Sequence, residues 1–169
     1  SDKIFAIFKK EAEFYKKRGG NVLWVGHPMI DLTRKLPLKK NARTILNLRS
    51  YQNILLLMPA SRPQELRYVL PTFMRAAKKL QQKYPSLVVY IPSCRRAFDE
   101  IFKKALSKYQ VKGIVISQKD SAKLKPYIYS LTKIAFCKSG TVNMELALYG
   151  IPQIVGYRVS RVTAFIAKK

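Results

Sequence analysis

The sequence predicts an α/β fold, a parallel sheet flanked by helices, and three observations carry that prediction. Seven short runs rich in β-branched and other apolar residues recur along the 169 residues. The longer segments between them place apolar residues at helical spacing. With 48% hydrophobic residues and only 9 prolines and 7 glycines, the chain can bury one proper core, and its length alone fits a single domain.

The strand runs, in order, are Ile4 to Phe8, Val22 to Val25, Ile54 to Met58, Leu87 to Ile91, Gly113 to Ser117, Ile134 to Cys137 and Ile154 to Tyr157. Each is short and apolar enough to be read as a buried strand. Pro71 is placed at the start of a helix whose stripe is Phe73, Met74, Ala77 and Leu80. Phe98, Ile101, Phe102 and Leu106 share one face of a second helix, with Lys103, Lys104 and Lys108 elsewhere, the pattern of a helix covering a sheet. Strands and helices that alternate in this way imply a parallel, right-handed α/β sheet. Thr33 to Lys40, with Pro37 and four basic residues, is the expected linker. It divides residues 1–36 from a main domain over residues 37–169. Both ends read as cut: a strand follows Ser1 almost at once, and a helical pattern over Arg161 to Lys169 stops short.

Charge narrows the function classes. Against 9 Asp and Glu stand 33 Lys and Arg, a formal +24, which recruits phosphates, nucleic acid or anionic head groups without choosing among them. A solvated cationic surface explains the same excess. The two cysteines, Cys94 and Cys137, are far apart and each reads as part of a regular element, so they form neither a metal-binding pair nor a disulfide framework, and a reducing compartment fits. No apolar run approaches the roughly 18 residues that span a bilayer, and no signal peptide is recognisable.

Open α/β sheets bind ligands beyond the carboxyl ends of their strands, which directs attention to the loops after Met58 and Cys137. In Ser139-Gly140-Thr141-Val142-Asn143-Met144-Glu145, Ser139 can cap a helix, Gly140 lets a ligand approach the backbone and Thr141 adds a hydroxyl. Unpaired N–H groups at such a terminus suit a diphosphate. Glu145, about one and a half turns in, can accept from a diol such as ribose. An ordinary capped helix with Glu145 on its surface accounts for the same residues. After Met58, Ser61-Arg62 sits at a strand end where the guanidinium can bind phosphate oxygens bidentately, or simply occupy a strand-to-helix turn. His27, the only histidine, follows a strand in Gly26-His27-Pro28-Met29-Ile30-Asp31 and can donate to an anion or satisfy a turn. One histidine excludes a multi-histidine metal site and argues against a Ser-His-Asp triad.

Taken in order, these segments resemble the carboxyl half of the lipid-A-disaccharide synthase family. A Phe-Tyr helix followed by Val-Gly-His-Pro-Met-x-Asp is matched by Glu11 to Tyr15 and Val25 to Asp31. Leu-Pro-Gly-Ser-Arg with a later Glu is similar to Met58 to Glu65, and Ser-Gly-Thr-x-x-x-Glu to Ser139 to Glu145. Pro-x-Val-Gly-Tyr-Arg is similar to Pro152 to Arg158. The resemblance implies a Rossmann-like sheet, the carboxyl-terminal domain of a GT-B glycosyltransferase, with residues 1–36 a remnant of the preceding domain and linker. It implies transfer of 2,3-diacylglucosamine from UDP to 2,3-diacylglucosamine 1-phosphate with release of UDP, without a metal or other cofactor. Ser61, Arg62, Ser139, Gly140, Thr141 and Glu145 would contact the UDP portion, Glu145 toward the ribose. Arg62 and His27 carry the catalytic assignment, His27 in the interdomain cleft. The partners implied are the two lipid substrates, an anionic membrane surface and a possible homodimer of the full-length protein. The location implied is cytoplasmic, peripheral at the inner membrane, or organellar in a photosynthetic source.

The sequence departs from the family pattern at two places. Ala60 replaces a Gly, which adds a Cβ at an expected tight turn, and Lys9-Lys10-Glu11 stands where Pro-Phe-Glu is usual. The amino-terminal acceptor domain is missing from these residues, so a fragment that binds nucleotide without completing a turnover is expected. Two alternatives remain. An inactive relative would keep only the fold, and a basic nucleic-acid-binding module would cluster its cations and aromatics on one exposed face. The scatter of Lys and Arg through every helix argues against the latter, and no nucleic-acid partner is expected.

Overall fold

The computed structural model describes residues 3–33 and 35–158. They fall into two compact units, Ser1–Lys35 and Leu36–Lys169. The helical pattern expected over Arg161 to Lys169 lies outside the described residues.

The first unit contains β1 (Ile4–Ala6), α1 (Lys9–Lys16), β2 (Val22–Trp24) and α2 (Pro28–Leu32). The two strands pair in parallel, and Ala6, Ala12 and Val22 form a small core between strand and helix. These strands are shorter than expected and are not fully buried, since Phe5 and Leu23 on one face and Trp24 on the other are exposed. Gly26 adopts φ +80°, a conformation that favours glycine, just before α2 begins.

The second unit contains α3 (Lys39–Ile45), β3 (Asn53–Met58), α4 (Pro63–Lys83), β4 (Leu87–Pro92), α5 (Arg96–Lys108), β5 (Gly113–Ile116), α6 (Gln118–Leu131), β6 (Thr132–Lys138), α7 (Thr141–Leu148) and β7 (Gln153–Gly156). Its five strands are all parallel, in the order β5-β4-β3-β6-β7. The chain runs outward from β3 to β5, then returns to place β6 on the other side of β3. The order reverses between β3 and β6, and at such a switch point the loops leaving adjacent strands diverge and open a crevice.

Both faces of the sheet are covered, which is why its central strands read as continuous apolar runs. Successive side chains of β3 point to opposite faces. Leu55 and Leu57 pack with Phe73, Met74 and Ala77 of α4 and Phe98 and Phe102 of α5. Ile54 and Leu56 pack with Ala42 of α3, Ile128 and Leu131 of α6 and Leu146 of α7. All four of these β3 residues are fully buried.

Several local expectations require correction. The long helix opens at Pro63, not at Pro71: Pro63 occupies its first turn, where its missing N–H is no loss, and Pro71 lies inside. Ile101 is exposed, leaving Phe98, Phe102, Ala105 and Leu106 as the buried face of α5. Lys39 and Lys40, read as linker, are helical. Among the described residues β7 is an edge strand with Ile154 and Val155 exposed, so it is not buried as read.

Candidate functional site

The loops after β3 and β6 meet beside a cavity of about 360 Å³ at the switch point. That volume falls in the range of small-ligand sites. The β3 loop supplies Met58, Pro59, Ala60, Ser61 and Arg62, and the first turn of α4 adds Glu65. The end of β6 and the start of α7 supply Lys138, Ser139, Gly140, Thr141 and Val142, while Pro92 and Cys94 follow β4. A larger cavity of about 690 Å³ opens among Asn53, Leu80, Tyr84, Leu87, Ile134 and Ile154. Its wall is mainly apolar, although Asn53, Lys79, Ser86 and Lys133 also line it, and it lies at the amino ends of the strands, opposite the end where open α/β sheets bind their ligands.

Five of the expected site residues, Ser61, Arg62, Ser139, Gly140 and Thr141, therefore share one wall. Ala60 does so without strain, since its φ is not positive, and the tight turn that would have demanded glycine is absent. Gly140 takes the N-cap position of α7, displacing Ser139 from the capping role assigned to it. Its N–H donates to Asn143 Oδ1 at 2.7 Å, so this one backbone donor is occupied. The N–H groups of Thr141 and Val142, in the first turn, have no intrahelical acceptor and remain for an anion. A Cβ at Gly140 would meet nothing within 4 Å, which leaves open space above the terminus.

Asn143 also ties this turn to the sheet. Its Nδ2 donates to Gln153 Oε1 at 3.1 Å, and Gln153 Nε2 donates back to Asn143 O at 2.9 Å. Cys137 Sγ donates to the same Gln153 oxygen at 3.2 Å, and burial pushes its thiol above the ordinary value. Cys94, by contrast, lies in the loop after β4, not in a regular element, and is exposed on the cavity wall.

Two charged residues that sequence reasoning did not assign to the site, Lys138 and the motif residue Glu65, complete the wall. Lys138 Nζ lies 2.7 Å from Glu65 Oε1, with both side chains about four-fifths buried. Arg62, largely exposed, approaches the same oxygen at 3.8 Å. Glu65 Oε2 is buried and has no hydrogen-bond partner.

Glu145 is not on this wall. Its carboxylate pairs with Lys125 at 2.6 Å, and the Tyr129 phenol is pushed far above its ordinary value, first by burial and then by the negative charge of Glu145. The carboxylate thus has the partner that a half-buried charge requires. His27 belongs to the other unit. It caps α2, its Nδ1 accepting from Met29 N at 3.1 Å, and Phe8 lies 5.6 Å from its ring. An imidazole accepting at Nδ1 carries its proton on Nε2, which is left to donate. Among the described residues no group of three or more His, Cys, Asp or Glu side chains is placed to hold a metal.

Known proteins match this chain at two levels. Solved structures share the fold. A putative UDP-N-acetylglucosamine 2-epimerase from Listeria monocytogenes superposes with a TM-score of 0.65 at 16% identity, covering 99% of this chain and 45% of that one. A pneumococcal O-GlcNAc transferase solved with UDP and GlcNAc gives 0.50 at 13% identity, covering 96% of this chain and 31% of that one. Sequences match more closely. The lipid-A-disaccharide synthase of Prochlorococcus marinus (strain MIT 9313) is 50% identical over 168 residues, 99% of this chain and 43% of that protein. That of Synechocystis sp. (strain ATCC 27184 / PCC 6803 / Kazusa) is 36% identical over 170 residues, 100% of this chain and 42% of that protein. The chain spans less than half the length of these curated relatives. The family model described as lipid-A-disaccharide synthetase matches residues 1–169 from end to end, and the chain belongs to that family.

Proposed function

We propose that this chain carries the donor-nucleotide site of a lipid-A-disaccharide synthase. In this reading residues 37–169 bind the UDP portion of UDP-2,3-diacylglucosamine, and the whole protein transfers the sugar to 2,3-diacylglucosamine 1-phosphate, releasing UDP. The observation that carries the reading is the cavity at the switch point, where Arg62, Ser61 and the amino end of α7 converge. A departing diphosphate needs its developing charge stabilised, and a guanidinium with fixed backbone dipoles does this without a metal. His27, with its Nε2 proton available, and the acceptor-binding residues belong to other parts of the protein. The cationic excess suits work at an anionic membrane, where acylated substrates reside. No helix among the described residues is long and apolar enough to cross a membrane.

Calorimetric titration of the chain with UDP tests the reading, alongside Arg62→Ala and Glu145→Gln. Saturable binding that weakens roughly tenfold or more in Arg62→Ala is expected, the loss of a charge-assisted contact. Glu145→Gln is read against 2′-deoxy-UDP: if Glu145 reaches the ribose diol, the preference of the parent chain for the ribonucleotide disappears in this variant. Absence of UDP binding, together with salt-dependent binding of a DNA duplex, would sink the donor-site reading and favour a basic binding module.

A further inference from the structure

We infer that Lys138 is a diphosphate-binding residue of this chain, the second cation of the subsite that Arg62 opens; the inference rests on the donor-site reading above. Lys138 is the last residue of β6 and lines the cavity two positions before the N-cap of α7. An ammonium has three N–H donors. One is taken by Glu65 at 2.7 Å, and the Tyr157 ring, centred 5.6 Å away, covers another direction. That leaves a donor for a ligand oxygen.

Charge arithmetic makes the residue necessary. Arg62 and Glu65 approach each other at 3.8 Å and cancel, so without Lys138 a diphosphate would meet a wall of no net charge. With Lys138 the three side chains sum to one positive charge, to which a helix amino terminus adds roughly half a charge. Glu65 also carries a cost, since its buried Oε2 has no partner. A carboxylate held at such a cost beside an anion site is accounted for if it fixes the ammonium in place.

The decisive variant is the double substitution Lys138→Met with Glu65→Gln. It removes one charge of each sign, so the net charge of the wall stays that of Arg62 and only the direct contact is lost. It also avoids leaving the buried Glu65 carboxylate with only the exposed Arg62 guanidinium at 3.8 Å, as Lys138→Met alone would do. Calorimetric titration with UDP is expected to show affinity reduced roughly tenfold to a hundredfold in the double variant, with an unchanged melting temperature. Lys138→Arg, which keeps a cation at the position, should retain affinity to within a few-fold. Unchanged UDP affinity in the double variant would overturn the inference, because the pair would then merely neutralise itself. If the parent chain binds no UDP, the donor-site reading fails first; if it binds and the double variant binds equally, only the role of Lys138 fails.

Discussion

Tyr129 shows how one buried side chain beside a candidate site ties that site to stability. Its phenol is enclosed between α6 and α7, near Glu145 and 5.3 Å from the Tyr149 ring, and holds its proton far more tightly than an ordinary tyrosine at 10.0. A proton held more tightly in the folded than in the unfolded chain stabilises fully while the pH lies below the unfolded value. Above about pH 10 the unfolded chain releases that proton and the folded chain does not, so stability falls as pH rises. Tyr90, also raised by burial, adds to the same limb. Urea unfolding at pH 8 and pH 11 should therefore show a larger alkaline loss in the parent chain than in Tyr129→Phe. Equal losses would mean that Tyr129 ionises normally in the fold. The same residue explains a limit of sequence reading. Glu145 was legible as a carboxylate able to accept from a diol, but Lys125 and Tyr129, which engage it in the fold, come from a helix with no local signal linking them to α7. Lys138 was invisible for a related reason, since one lysine among 33 basic residues draws no attention until the sheet places it beside Glu65.

At the scale of elements, close packing sets the tolerances. A Cβ on Gly113 would lie 2.8 Å from Leu106 Cδ2 and 2.9 Å from Val89 O, and the backbone oxygen belongs to a paired strand that cannot give way cheaply. Gly113→Ala should destabilise the chain by about 1–3 kcal/mol, the usual cost of overpacking, lowering the melting temperature by several degrees. A melting temperature within one degree of the parent would show that β4 and α5 yield more easily than this geometry allows. The central strands β3 and β4 were the most legible, because burial on both faces demands continuous apolar runs, and the rule that open α/β sheets bind ligands beyond the carboxyl ends of their strands pointed to the loops that leave β3 and β6. Helix starts were less legible. Pro63 and Pro71 are both acceptable in a first turn by type, and only the capture of Leu66, Val69 and Leu70 by the core decides for Pro63. The short helices α2 and α3 went unread because 5 and 7 residues are too few to display a periodic stripe. The cap from Asn143 went unread because Ser139 stood where a side-chain cap is usually sought.

For the whole molecule the governing quantity is +24. Each Lys or Arg near an anionic bilayer contributes about 1 kcal/mol, screened within roughly a Debye length. Vesicles containing anionic lipid should retain the chain at low salt and release it progressively as salt rises, while neutral vesicles should not retain it. Equal sedimentation with both kinds of vesicle would remove charge as the cause of membrane contact. In the second unit the cations include Arg62 and Arg95, which cap α4 and α5 after β3 and β4, Arg96 in the first turn of α5, and Lys138 at the end of β6, all at the end of the sheet where an anionic ligand is expected.

During synthesis β3 is finished long before the strand that will lie beside it. Met58 and its register partner Cys137 are about 80 residues apart, a delay of about 4 to 16 s at ordinary rates of translation. Until then one edge of β3, with its run from Ile54 to Leu57, offers unpaired backbone to any neighbouring chain. β4 can protect the other edge early, but this one waits for β6. The last loop to form beside that edge is also the one that brings Lys138 and α7 to the cavity. A nascent chain short of β6 is therefore most vulnerable to aggregation before this loop has formed, and protection of the β3 edge and completion of the cavity wall arrive late and together.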